Sequence, residues 1–132
     1  MTAIAEVSGQ TDVTRVVPSG LGIALTEQGT TSTIALAGEC DLACQQALRD
    51  AVGEALYRRP ECLVLDLCLL SFIDSTGIQV VVETARRASR QDTRLVIIPG
   101  PRAVHRVFEI CQLTEMLPFT PQTRRNREAP QL

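Results

Sequence analysis

The chain has 132 residues, 45% of them hydrophobic, with a formal net charge of -2 and no tryptophan. That length fits one domain with a core of its own. The weak negative charge, one Tyr and three Phe argue against a nucleic-acid surface, which needs a basic face and stacking rings; no run of about 18 apolar residues offers a membrane helix, and no basic region followed by an apolar stretch opens the chain as a signal peptide would.

Residues 1–19 are polar and weakly patterned, and read as a flexible extension with a short extended piece near 13–17. Residues 21–27 and 31–37 read as the two strands of a hairpin about Gln28-Gly29-Thr30, the second rich in β-branched residues. Gly38-Glu39-Cys40 leaves that strand, and Asp41 can cap a helix over 42–58. The apolar stripe of this helix is Ala47, Leu48, Ala51, Val52, Ala55 and Leu56, and Pro60 ends it. Residues 62–69 form a continuous apolar run, the pattern of a central strand covered on both faces. A second helix over 75–89 buries Ile78, Val81, Val82 and Ala85, and Arg94–Ile98 is the next strand. Pro99-Gly100-Pro101 breaks the chain; a third helix from Pro101 buries Val104, Val107, Phe108 and Cys111. Residues 116–119 suit a short edge strand, where Pro118 is tolerated, and residues 120–132, with two Pro and an Arg cluster, read as a disordered tail. The order is a β-hairpin followed by α-β-α-β-α-β. Right-handed crossovers make the later strands parallel, so the expected class is α/β: a mixed sheet with helices packed on it.

All 13 basic residues are Arg, which excludes chemistry that needs a P-loop or Schiff-base lysine. The five cysteines include no C-x-x-C pair and read as reduced core thiols of a cytoplasmic protein. Cys40, Cys44 and His105 lack the paired ligands of a structural zinc site, so no metal or cofactor is expected.

The informative stretch is the one in which the apolar run passes through Phe72-Ile73 into Asp74-Ser75-Thr76-Gly77. It places a small hydroxyl where a strand meets a helix N-terminus. Free N–H groups and the helix dipole favour a negative group there, so Ser75 is suited to carrying a removable phosphate.

Three segments resemble the STAS domain family, in its single-domain anti-sigma factor antagonist branch. They are Leu36-Ala37-Gly38-Glu39-Cys40-Asp41; Leu65-Asp66-Leu67 with Phe72-Ile73-Asp74-Ser75-Thr76-Gly77; and Leu95-Val96-Ile97 with Pro101, Ala103, Val104, Val107, Phe108 and Leu113. The resemblance covers residues 20–119. It implies a STAS-like mixed sheet with an N-terminal hairpin. It also implies a switch protein that binds an anti-sigma factor and so releases a sigma factor; separately, a monomer is expected. The implied anti-sigma factor has a histidine-kinase-like ATPase fold and phosphorylates the serine matching Ser75; a PP2C-type phosphatase reverses the modification. The implied partner-binding set is Asp41, Phe72, Ile73, Asp74, Ser75, Thr76 and Gly77. The chain departs from the family pattern at Cys40, where an apolar residue is usual, at Gln112, where Gly is common, and at Thr76, where Ser is frequent. No final amphipathic helix follows Phe119.

Most of these residues also carry a plainer reading. Asp74 caps a helix and can orient Ser75 as well. Asp41 is a cap first and a partner contact second. Asp66, in a buried strand, needs a hydrogen-bond partner and can fasten the following loop. Gly77 either packs closely or clears an approach to Ser75. Phe72 is either the exposed hydrophobe of a binding face or a core residue. Cys44 and Cys111 read as packing residues, and His105 as a solvated helix residue. An enzyme is disfavoured: a triad of Ser75, His105 and an Asp lacks the G-x-S-x-G elbow. The alternative within the family is a STAS subunit of a lipid or anion transport complex, or a signalling scaffold.

Overall fold

A computed structural model of the chain describes residues 10–16 and 20–121. Expectations for residues 1–9, 17–19 and 122–132 lie outside the described residues. Strands β1 (Gln10–Val16), β2 (Leu21–Gln28), β3 (Thr31–Cys40), β4 (Cys62–Ile73) and β5 (Arg94–Ile98) form one sheet in the order β1-β2-β3-β4-β5. Helices α1 (Gln45–Tyr57), α2 (Ser75–Arg90) and α3 (Arg102–Ile110) complete the fold. β1–β2 and β2–β3 pair antiparallel, and β3–β4 and β4–β5 pair parallel. Gly29, at φ +62, makes the two-residue loop between β2 and β3, a position where a left-handed residue matches strand twist. Strand β1 falls inside the segment read as a flexible extension, so the sheet starts ahead of residue 20.

The strands alternate, and one face of the sheet is sealed. Leu21 and Ile23 of β2, Ile34 and Leu36 of β3, Leu63, Leu65 and Leu67 of β4, and Ile97 of β5 are essentially inaccessible. Against them pack Leu48, Ala51, Val52, Ala55 and Leu56 of α1, Ile78, Val81 and Ala88 of α2, and Val104 and Phe108 of α3. The opposite face is half-buried: Ala24, Thr33, Ala35, Val64, Asp66, Val96 and Ile98 all retain access to solvent. β4 is therefore central but covered by helices on one face, and not on both as its apolar run suggested. The reason is topological. Strand order advances in one direction from β3 to β5, so right-handed crossovers put α1 and α2 on the same side.

Strand β4 outruns its neighbour β5. Residues 62–66 are laddered to β5, while the part beyond Leu67 pairs only with β3. It also carries one residue more than β3 at two places, between Asp66 and Leu69 and between Leu70 and Phe72. These bulges interrupt the alternation: Leu67, Leu70 and Ile73 point inward, while Leu69 and Phe72 are exposed.

Several boundaries differ from expectation for identifiable reasons. Leu42–Cys44 is a short 3-10 turn, and the α-helix proper begins at Gln45. Residues 116–119 make a single parallel bridge, Phe119 to Ile97, because Pro118 has no N–H to extend a ladder. Cys111 lies just past the end of α3 and is exposed, so it is not a packing residue. All three α-helices are followed by a left-handed residue other than glycine: Arg59, Asp92 and Gln112. At Gln112, with φ +59, the Leu113 N–H reaches back to the Phe108 carbonyl at 3.0 Å and the Gln112 N–H to Glu109 at 2.9 Å, which satisfies the last carbonyls in a Schellman arrangement.

Candidate functional site

The site forms where β3 and β4 end and α2 begins. The Asp74 N–H donates to the Cys40 carbonyl at 3.2 Å, which ties the two strand ends together. Asp74 then takes extended backbone angles and caps α2. Its Oδ1 accepts from the Thr76 N–H at 3.0 Å, the Gly77 N–H at 3.1 Å and the Thr76 hydroxyl at 2.6 Å. Partial burial raises the Asp74 pKa, but these hydrogen bonds together outweigh it and hold the carboxyl below the ordinary aspartate value. The N–H groups expected to receive a phosphate are thus already taken by a carboxylate.

Ser75, the first residue of α2, is exposed, and among the described residues no side-chain hydrogen bond engages its hydroxyl. The neighbouring Thr76 is half-buried, with its hydroxyl committed to Asp74. Gly77 is buried. A Cβ there would lie 2.8 Å from Cys40 Sγ and 2.8 Å from Ile73 Cγ1, so its lack of a side chain is required for α2 to sit against the strand ends. Ile73 is also buried, at 2% exposure. The family resemblance implies Ile73 and Gly77 as partner contacts. They face the core instead, because the second bulge of β4 turns Ile73 inward, and they support the rim from below.

Asp41 sits beside this helix start, on the residue after Cys40. It caps the 3-10 turn by accepting from the Ala43 N–H at 3.1 Å. Cys44 closes a capping box in which its thiol stands where Glu or Gln is usual. The Asp41 N–H donates to Cys44 Sγ at 3.5 Å, and that sulfur lies 3.3 Å from both Asp41 Oδ1 and the Glu39 carbonyl. Cys40 and Cys44 are both fully buried. Burial, then the neighbouring Cys44, Asp74 and Asp41, push the Cys40 thiol up to about 12.

Around this polar centre stand exposed hydrophobes. Phe72 is 47% exposed, which decides its two readings in favour of the surface, and Leu69 (72%) and Leu42 (66%) are barer still. The sequence reading missed Leu42 and Leu69. Leu42 follows a cap, where the first-turn residue points outward, and Leu69 is turned out by a bulge that no local pattern announces. Asp66 has the partner it needed: its Oδ1 accepts the Cys68 N–H at 2.9 Å, inside the first bulge. His105 is half-buried with its ring edge-on to Phe119 at 4.8 Å, and so is a packing residue more than a solvated one. Among the described residues no three His, Cys, Asp or Glu side chains converge as a metal site would require, and no helix is long and apolar enough to cross a membrane.

Comparison with known proteins places this architecture. The family model described as "Mlab, STAS domain" matches residues 23–118. The anti-sigma-F factor antagonist RsfB of Mycobacterium tuberculosis is 27% identical over 70 residues, which is 53% of this chain and 57% of RsfB; the match therefore spans little more than half of that relative. The crystal structure of an anti-sigma factor antagonist from Mycobacterium paratuberculosis superposes with a TM-score of 0.73 at 22% identity, covering 87% of this chain and 97% of that one. The anti-sigma factor antagonist SpoIIAA in its unphosphorylated form superposes with a TM-score of 0.65 at 20% identity, covering 83% and 97%; its phosphorylated form matches at 0.59, with 21% identity over 80% and 97%. At these identities the solved structures speak for the fold, a mixed sheet with helices, and the family model, which takes in most of the chain, speaks for descent: the chain belongs to the STAS domain family.

Proposed function

We propose that this chain is an anti-sigma factor antagonist that works by binding and not by catalysis, and that phosphorylation of Ser75 switches the binding off. The observation that carries the reading is the state of the two hydroxyls at the start of α2. Ser75 is exposed and uncommitted among the described residues, while Thr76 is locked on Asp74. The partner is an anti-sigma factor with a histidine-kinase-like ATPase fold that acts as the kinase, and a PP2C-type phosphatase resets the switch. The chain acts as a monomer in the cytoplasm. Its rim consists of Ser75, Asp41, Asp74 and Thr76, with Phe72, Leu42 and Leu69 as apolar anchors. The naming of RsfB and SpoIIAA as antagonists, and the existence of SpoIIAA in two phosphorylation states, support the assignment.

The switch follows from charge. A phosphate brings about -1.5 to -2 charges and new bulk. At Ser75 it meets the Asp74 carboxylate, and the Thr76 and Gly77 N–H groups that could neutralise it are occupied. A loss of about 3–4 kcal/mol in binding corresponds to several hundredfold in affinity.

The test is phosphosite mass spectrometry on protein from its native host, with Ser75→Ala as control, followed by calorimetric titration of an anti-sigma factor from the same genome. Phosphate on Ser75 that disappears in the variant, and affinity lost in the phosphorylated form, are the expected results. Phosphate on Thr76, or full affinity after modification of Ser75, overturns the switch. No phosphate under any growth or stress condition favours a constitutive adaptor, first among them a subunit of a transport complex.

A further inference from the structure

We propose that Cys40 and Cys44 form an oxidation site in which a peroxide joins the two thiols as a disulfide and thereby unlocks the Asp41 turn. Cys44 Sγ lies 3.3 Å from the Glu39 carbonyl and 3.5 Å from the Asp41 nitrogen. These are the backbone groups on either side of Cys40, so the sulfur of Cys44 is held against the backbone that carries Cys40. The Cys40 sulfur in turn faces Gly77 at the start of α2. Both thiols are buried, but the cover over Cys44 is a three-residue 3-10 turn whose Leu42 and Ala43 are exposed. Local opening of so short a turn admits a small oxidant without unfolding the core. Burial protects the pair otherwise, as expected of structural thiols.

The chemistry balances with hydrogen peroxide alone. The Cys44 sulfur attacks one peroxide oxygen, the O–O bond breaks and one water leaves, giving a sulfenic acid on Cys44. The Cys40 sulfur then attacks the Cys44 sulfur. The S–S bond forms, the S–O bond breaks, and the departing hydroxide takes the Cys40 proton and leaves as a second water. Two thiols lose two electrons and the peroxide gains them. Cys40, whose thiol is pushed up to about 12 by burial and its neighbours, is the resolving partner and not the attacking one. A disulfide sulfur has no proton to give to Asp41 Oδ1 or the Glu39 carbonyl, so both of those contacts are lost from the turn. The connection through Gly77 carries the change to the helix start that presents Ser75. The oxidation itself does not depend on Ser75 being phosphorylated.

Trypsin isolates the pair, since no basic residue lies between Arg15 and Arg49 and the peptide 16–49 holds only these two cysteines. The full chain is treated with hydrogen peroxide, its remaining thiols are alkylated, and the digest is mapped without reduction. The expected result is a loss of about 2 Da, two hydrogens, confined to peptide 16–49, with the Cys40→Ala variant giving a dimedone adduct on Cys44 instead. Amide exchange of the oxidised chain is expected to quicken at Ala43, Thr76 and Gly77. Oxidation only at the exposed Cys111, or no dimedone adduct on Cys44 in the variant, overturns the site; a disulfide that leaves the exchange of Thr76 and Gly77 unchanged overturns its coupling to the helix start. Neither outcome bears on phosphorylation of Ser75, so failure here is distinguishable from failure of the antagonist reading.

Discussion

The Thr76 hydroxyl donates to Asp74 Oδ1 at 2.6 Å, across the exposed Ser75 that separates them. The clasp ties up one of two adjacent hydroxyls and leaves the other exposed, and it uses a carboxylate that also caps the helix. Removing it tests local structure and switch chemistry together.

Asp74→Ala is expected to cost about 1 kcal/mol of stability through loss of the cap, measured by chemical denaturation at neutral pH. It is also expected to release the Thr76 hydroxyl as a competing phosphate acceptor, visible by phosphosite mapping. An unchanged stability contradicts the capping role.

The same carboxyl makes a pH prediction. Its folded pKa lies below its ordinary value, so its contribution is fully present above about pH 4, the unfolded aspartate range, and is lost as pH falls through the folded value. Asp74→Asn is therefore expected to trail the natural chain at neutral pH, and the gap should close as the solution is acidified below pH 4. A gap that widens with acid has the wrong sign.

Gly77→Ala sets helix propensity against packing. Alanine gains about 1 kcal/mol in an open helix, but here its Cβ meets Cys40 Sγ and Ile73 Cγ1 at 2.8 Å. Overpacking of this kind costs about 1–3 kcal/mol. A net loss is expected, and Cys40→Ala should recover part of it. A stabilised Gly77→Ala contradicts the packing role.

Gln112→Gly is expected to stabilise the chain by about 0.5–1 kcal/mol, because φ +59 strains any side-chain-bearing residue and glycine adopts it freely. Thermal denaturation reads the gain. The change touches no residue of the rim, so it offers a stabilised background for the other variants.

Arg49 and Glu83 join α1 to α2 through two contacts of 2.9 Å, with each side chain about one third exposed. The Arg49 hydrogen bond lowers the Glu83 pKa. At this exposure a double-mutant cycle should give only a small coupling, and a smaller one in high salt. A large coupling that salt leaves unchanged refutes the surface assignment.

Much of this was legible in the residues. The hairpin, the helix stripes and the start of α2 at Ser75 follow from alternation, 3.6-residue spacing and capping chemistry. What was hidden depended on long-range geometry. The double bulge of β4 arises from its pairing with β3, so Leu69 and Phe72 point outward and Ile73 inward although the stretch reads as uniformly apolar. The open face of the sheet came from the handedness of two crossovers, which a single strand's composition does not encode. The thiol in the Asp41 capping box could have been suspected from Asp41-Leu42-Ala43-Cys44, since position N3 normally reaches back to the cap, but Cys is not a residue that pattern looks for.

The unequal lengths of β4 and β5 divide labour along a single strand. Residues 62–66 are braced on both edges, while residues 69–73 are braced by β3 alone. The part that bears Leu69 and Phe72 is thus free of β5 on one edge, while Leu70 and Ile73 within it still fill the core. Substitutions at the exposed Leu69 and Phe72 can change this surface while the five-residue ladder below goes on holding the domain together.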